Sequence, residues 1–487
     1  MKKLKRAELL AIAASMCCAL VFQTAGAAAA PVADELRTGY VQDTTVNPFI
    51  VTGTGGELGD PFPVYMDGVW HLYAMAAGSG SVPHFTSTDL VKWVEHKPAM
   101  VGNGICTGTV LRHDKTYYLF YTDGGPQTIH LVTSDNPWEF DFSKSRLVAE
   151  GDGKIYQKSW FRDVYVFYNE SEKLWWMLIE SRGPDVCVGL FKSKDLLDWT
   201  PSAPIFKDKA RQYGSCPQIF QHDNLWYLAL QDMGNCYYSA TDPRGPWTHR
   251  GEYLSLMAEA ASRFATDGKR QITWGWLCDW IEKPKKSIGR YGGPLCVGRE
   301  VVFKKDGTLG MRAFPELIAA IRGKGNDLDL PVCANPVSGE WKIEKREAVI
   351  SGDKGGVLLL NLPTTNPNYY FETDLKLDSA RTIVNIGVRV SAQGDHGYCL
   401  VLNPAAGKVE VRQGKPADAL LNEIPYNFPA ATTRLQIFVF DNHMEVFLDD
   451  QACVTSRIPE KTEHRISIEA SGGGATVIKP MLHYFGK

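Results

Sequence analysis

The chain has 487 residues, of which 44% are hydrophobic, enough for two or three domains with ordinary packed cores. A formal net charge of −3 offers no basic footprint for phosphate, which excludes nucleic acid as an expected partner. Nine cysteines run from Cys106 to Cys453 without paired spacing, so neither a zinc motif nor a short disulfide framework is expected, and the odd number leaves at least one unpaired.

At the N-terminus, Lys2, Lys3, Lys5 and Arg6 precede an apolar run from Leu9 to Phe22 and the small-residue stretch AGAAAAP. This order reads as a secretory signal over residues 1–30, cleaved near Ala27 to Ala30. The apolar run is shorter than the roughly 20 residues of a membrane-spanning helix. The expectation is an exported protein, periplasmic or secreted, with no membrane attachment once the signal is removed.

From Pro61 onward a strand-like run, a turn and an aromatic strand recur five times: PFPVYMDGVWHLYAM, TGTVLRHDKTYYLFY, VYVFYNESEKLWWMLI, CPQIFQHDNLWYLAL and ASRFATDGKRQITWGW, starting at Pro61, Thr107, Val164, Cys216 and Ala261. Starts spaced roughly 45 to 55 residues apart have the period of propeller blades. The first four runs are followed by STDLVKW, TSDNPW, SKDLLDW and ATDPRGPW, a second half for each blade. A propeller gathers the first strand of each blade around a central channel, so residues opening those strands converge on the axis. Asp60 and Asp163 open two of them. The adjacent Trp175 and Trp176 read as core, because alternating strand faces send only one of them inward.

The five-bladed β-propeller is therefore expected over residues 31–313. FPELIAAIRGK then has the apolar spacing of one short linker helix, 314–324. Beyond it, residues 325–487 change to longer alternating strands such as NYYFETDLKL and TIVNIGVRVS, the pattern of a C-terminal β-sandwich, with a hairpin turn at Asn442-His443. The fold class is all-β. The sandwich serves either for packing or for carbohydrate binding.

Hydrolysis of a glycosidic bond needs two carboxyl groups, one attacking or activating water and one protonating the leaving group. Asp60, in GDPFPVYMDG at the mouth of the first inner strand, suits the first role; otherwise it caps the turn before Pro61. Several segments in order resemble glycoside hydrolase family 32, the invertase and fructanase family. GDPFPVYMDGVWHLYAM is similar to its Asn-Asp-Pro-Asn-Gly strand, STDLVKW to its Ser-x-Asp-Leu-x-x-Trp segment, FRDVYVF to its Arg-Asp-Pro motif, and YGSCPQIF to its Glu-Cys-Pro segment. The tail from GREVVFKKDG to LQIFVFDNHMEVFLDD resembles the family's linker and sandwich. The resemblance implies Asp60 as nucleophile, Asp163 as a stabiliser that hydrogen-bonds sugar hydroxyls near the transition state, and Arg162 as its support. It implies neither metal nor organic cofactor.

The chain departs from that pattern where the family places its acid/base Glu: here the residue is Ser215. A serine hydroxyl is no carboxylic acid, and the general acid is worth roughly 10² to 10⁴ in rate. Counting eight residues back from the turn aspartates relates Ser215 (from Asp223) to Glu259 (from Asp267), one blade further round. Glu259 is thus expected as a relocated acid, its pKa raised by Leu256, Met257, Ala258 and Ala260, unless it is solvated or paired with Arg263. Glu180 is the second candidate acid and Glu57 the third; Arg162, Ser215 and Glu180 are expected to contact substrate, and Arg182 or His84 to line the pocket.

These readings converge on an exported hydrolase of furanosidic, above all fructofuranosidic, links in oligo- or polysaccharides. Two alternatives stand beside it: a glycan-binding protein that has lost hydrolysis, and an arabinofuranosidase-type enzyme.

Overall fold

The computed structural model describes residues 37–487 except 54–55, 79, 183–184, 232–233, 253–258, 278–291, 363–365, 392–396, 415–417, 459–464 and 487. The expected signal at 1–30 lies outside the described residues, as do Cys278 and the Glu259 neighbours Leu256, Met257 and Ala258.

Among the described residues, five antiparallel sheets follow one another from the first to the last blade strand, each begun by an inner strand: Leu58–Met66, Ile105–His113, Phe161–Asn169, Ser215–His222 and Glu259–Thr266. The second strands are Val69–Ala76, Thr116–Asp123, Leu174–Arg182, Leu225–Gln231 and Gln271–Leu277. The strand Arg37–Asp43 adds a fifth, outermost strand to the first sheet. Trp175 and Trp176 are both buried, in separate clusters on opposite faces of the third blade, so the alternation serves two cores.

The Ser-x-Asp-Leu-x-x-Trp segments owe their recurrence to one turn. Ser87 Oγ accepts from the backbone N–H of Leu90, and Asp89 Oδ1 from those of Val91 and Lys92; Ser193 and Asp195 do the same for Leu196, Leu197 and Asp198. Such local bonds replace ladder bonds at a turn. Leu90 and Leu196 take positive φ there, 61° and 67°, and Trp93 and Trp199 follow three residues later into the packing between strands.

Every inner strand carries a β-bulge near its start, between Leu58 and Pro61, Ile105 and Gly108, Arg162 and Tyr165, Ser215 and Gln218, and Ala260 and Arg263. A bulge sets two residues against one and re-aims side chains, which is why bulges gather beside active sites. The sequence runs begin at or within these bulges, so the strands start one to three residues earlier than their most regular part suggests.

The helix Pro315–Lys324 joins the propeller to the sandwich and buries Leu317, Ile318 and Ile321. Each such side chain contributes about 1.5–3 kcal/mol when fully buried. The core it enters is shared, taking Trp274 and Phe314 from one side and Tyr370, Phe438, Phe447 and Phe485 from the other. The sandwich, among the described residues, packs an eight-stranded sheet against a seven-stranded one around Leu358, Ile386, Leu400, Leu435 and Val446. Its expected turn at Asn442-His443 falls one residue earlier: Asp441, at φ 50°, turns the chain with Asn442, and His443 already pairs with Phe440.

Candidate active site

The bulges bring Asp60, Thr107, Asp163 and Cys216 to one axial cavity of about 500 Å³, whose wall also includes Arg162, Ser215, Gln231, Ala260 and Trp276. Asp163 and Cys216 hold left-handed backbone, φ 62° and 51°, a conformation few side chains adopt and one that persists only where the surroundings fix it. The Asp163 N–H is fixed by Thr122 Oγ1 at 3.0 Å, and the buried Arg263 guanidinium donates to the Pro217 and Asp163 carbonyls at 3.0 and 3.1 Å.

Asp60 is buried and held by several donors. Trp276 Nε1 donates to its Oδ1 at 3.0 Å, and the Thr107 hydroxyl donates to its Oδ2. Cys216 sits between the two aspartates: its N–H donates to Asp163 Oδ2 at 2.9 Å, and its Sγ lies 3.8 Å from Asp60 Oδ2 and 3.7 Å from Asp163 Oδ2. Burial, then the carboxylates of Asp163 and Asp60, push the thiol well above its usual range, so it stays neutral. One ligand atom from each of these three residues falls within 4.8 Å of the others, close enough for a cation to bridge. The same hydrogen-bonded carboxylates can also accept from the hydroxyls of a polyhydroxylated ligand.

Glu180 stands one layer behind the wall with its side chain wholly buried. Its Oε2 accepts from Arg162 Nε at 2.8 Å and from Ser215 Oγ at 2.9 Å, and its Oε1 from the Gly214 N–H at 3.2 Å. Burial first, then the Asp163 charge, raise its pKa against the opposing pull of Arg162. Arg162 is itself raised: burial works against its charge, but Asp163 and Glu180 more than offset that. Its guanidinium also stacks 4.4 Å from the Trp160 ring, which carries Arg182 at 4.0 Å on the same indole.

Several expected pocket residues lie elsewhere. Glu259 is 2.6 Å from Arg299 Nη1 in a wholly buried ion pair, over Gly275, where a Cβ would come within 2.4 Å of Glu259 Oε1. The carboxyl group is turned away from Asp60 and Asp163, and its cationic partner is Arg299 rather than Arg263. The reason is a register slip. Four residues separate the bulge from the turn in the fifth blade and five in the fourth, so the position equivalent to Ser215 is Ala260. A one-residue shift sends a side chain to the other face. His84 stacks on Tyr73 inside the first blade with its Nε2 3.0 Å from His71 Nδ1, and Arg182 donates to the Gln212 carbonyl at 2.6 Å; neither lines the cavity, nor does Glu57.

Sequence reasoning passed over Thr107, Cys216 and Trp276. The signal for the first two was present, since Thr107 and Cys216 are the first residues of their runs and the aspartates stand immediately before theirs. A larger cleft of about 880 Å³ between the last two blades and the sandwich, lined in part by Tyr237, Lys304 and Tyr426, contains none of the bulge residues.

Residues 58–312 match the family profile "Glycosyl hydrolases family 32 N-terminal domain", and residues 339–483 match "Glycosyl hydrolases family 32 C terminal". The chain belongs to glycosyl hydrolases family 32. A levanase of Bacillus sp. (strain L7) is 24% identical over 522 residues, covering 91% of this chain and 54% of the levanase, so the chain spans about half the length of that relative. A second levanase, from Bacillus subtilis (strain 168), is 21% identical, covering 93% of this chain and 72% of that protein. The fold is similar to that of fructan 1-exohydrolase IIa from Cichorium intybus, with a TM-score of 0.68 at 13% identity over 91% of this chain and 98% of the other.

Proposed function

We propose that this chain is an exported glycoside hydrolase that cleaves fructofuranosidic links in oligo- or polysaccharides. The observation that carries the reading is the pairing of Asp60 and Asp163 across Cys216 at the axis of a family 32 propeller. The levanases among its relatives support a fructan as substrate. Asp60 attacks the anomeric carbon from a carboxylate that Trp276 and Thr107 hold in place, forming a glycosyl-enzyme that water then hydrolyses. Asp163 accepts hydrogen bonds from sugar hydroxyls, bonds that strengthen as positive charge develops on the ring. Export follows from the signal-like residues 1–30; among the described residues no helix is long and apolar enough to cross a membrane.

One observation favours a second reading, glycan recognition without hydrolysis. Among the described residues Asp60 and Asp163 are the only carboxylates lining the cavity. Hydrolysis of levan, inulin, sucrose, arabinan and a nitrophenyl furanoside by wild type and Asp60→Asn separates the readings. Cleavage of a fructan by wild type alone supports the hydrolase. Cleavage restricted to arabinan points to an arabinofuranosidase. Fructan binding with no cleavage of any member of the panel points to a binding protein.

A further inference from the structure

Among the described residues the cavity wall has no carboxylic acid besides Asp60 and Asp163, the nucleophile and the stabiliser of the reading above. Ser215 is in the wall and partly exposed. Directly behind it, Glu180 Oε2 is 2.9 Å from Ser215 Oγ, and the Glu180 side chain has no exposed surface of its own. A proton leaving Glu180 toward the cavity therefore meets the serine hydroxyl first. We propose that Ser215 is the group that protonates the leaving oxygen, as a relay recharged by Glu180. This rests on the hydrolase reading above and supplies the acid that reading lacks.

An Asp60 oxygen bonds to the anomeric carbon as the glycosidic C–O bond breaks, and the departing oxygen takes the hydroxyl proton of Ser215. In its protonated form Glu180 donates from Oε2 to Ser215 Oγ, the reverse of the bond its carboxylate accepts across the same 2.9 Å contact; Ser215 Oγ takes that proton, which restores the hydroxyl and leaves Glu180 as a carboxylate. In the second half a water gives its proton to Ser215, the serine proton returns to Glu180, and the water oxygen displaces Asp60 from the anomeric carbon. A carboxylate formed on Glu180 is received by donors already in place, Arg162 Nε at 2.8 Å and the Gly214 N–H at 3.2 Å. Burial, then the Asp163 charge, raise the Glu180 pKa against the pull of Arg162, the direction a proton reservoir requires.

The same contact also fits a purely structural role. The residue of the second strand that pairs with the last residue before the bulge reaches the next blade in two other places: Gln231 Oε1 accepts from the Ala261 N–H at 2.8 Å, and Trp276 donates to Asp60. Glu180, paired with Arg162, is the third member of that set and the one able to carry a proton. The test must therefore read proton delivery and not only activity.

Leaving-group dependence does so. With levan, Glu180→Gln and Ser215→Ala each should lose roughly 10² to 10⁴ in kcat/KM. With a nitrophenyl furanoside, whose leaving group departs without a proton, both should stay within about tenfold of wild type, and wild-type activity on levan should fall with rising pH as the reservoir deprotonates. Equal losses on both substrates would reduce Glu180 to a strut, and an unimpaired Ser215→Ala would remove the serine from the path. A proton inventory in mixed H₂O and D₂O on the wild type needs no variant: a bowed dependence fits two protons moving together, and a straight line overturns the relay. Failure of the underlying reading shows separately, as an Asp60→Asn enzyme that retains activity or a wild type inactive on both substrates; the second result overturns the relay as well.

Discussion

Glu259 Oε2 lies 2.6 Å from Arg299 Nη1, with both side chains wholly removed from solvent. Arg299 Nη2 meets Glu445 of the sandwich at 2.5 Å, so one guanidinium ties two carboxylates from the two halves of the chain. Removing the cation leaves two buried acids uncompensated. Arg299→Met should cost about 3–5 kcal/mol of unfolding free energy. Glu259→Gln should cost less, because it also relieves the repulsion of Glu445. Denaturant titration checks both, and kcat per folded Glu259→Gln enzyme should match wild type.

Glu445 gives this joint a pH signature. Burial is the main cause that lifts its pKa from the model-peptide 4.5 to about 7; Arg299 opposes the lift and Glu259 adds to it. Between those values the folded protein holds a proton that the unfolded chain releases. Its contribution is therefore present below about pH 4.5 and lost as pH rises through 7. Glu445→Gln should remove this downward slope from a plot of melting temperature against pH.

The histidines of the first blade act in the opposite sense. Burial, helped by His96 and opposed by Asp67, lowers His71 from 6.5 to about 3, and burial with its two histidine neighbours lowers His84 well below its usual value. Here the unfolded chain binds the extra protons. Stability is full above about pH 6.5 and falls toward pH 3, by up to about 1.4 kcal/mol per pH unit for each histidine. Replacing His71 with Gln should flatten this acidic limb in thermal scans.

Trp276→Phe keeps a ring but removes the donor to Asp60 Oδ1. A hydrogen bond to a charged group is worth about 1.5–3 kcal/mol, so kcat/KM on a fructan should fall about ten- to hundredfold. Melting temperature should move little, since the aromatic contact remains.

Asp163→Asn keeps the size of the side chain but loses its charge and one acceptor for sugar hydroxyls. Bonds that strengthen in the transition state supply several kcal/mol, so the loss should be about 10²- to 10³-fold in kcat with a smaller change in KM. Steady-state kinetics on levan decides it.

The blade repeat and the axial position of Asp60 and Asp163 were legible because short aromatic strands alternate visibly and their starts recur. The side-chain direction of Glu259 was not. It depends on the distance from bulge to turn, which differs by one residue between the last two blades, and a bulge leaves no mark in residue type. Glu180 could be named a candidate acid but not located, because its nearness to Ser215 joins neighbouring blades across 35 positions of sequence. Thr107 and Cys216 were within reach of the strand-opening argument; Trp276, in a second strand, was outside it.

The bond from Trp276 to Asp60 spans 216 positions and closes the ring of blades between its first member and its last. During synthesis, Asp60 leaves the ribosome long before the indole that orients it. A chain interrupted anywhere in the first four blades carries Asp60 without its setting. The setting of Asp60 therefore arises late, when the circle is complete.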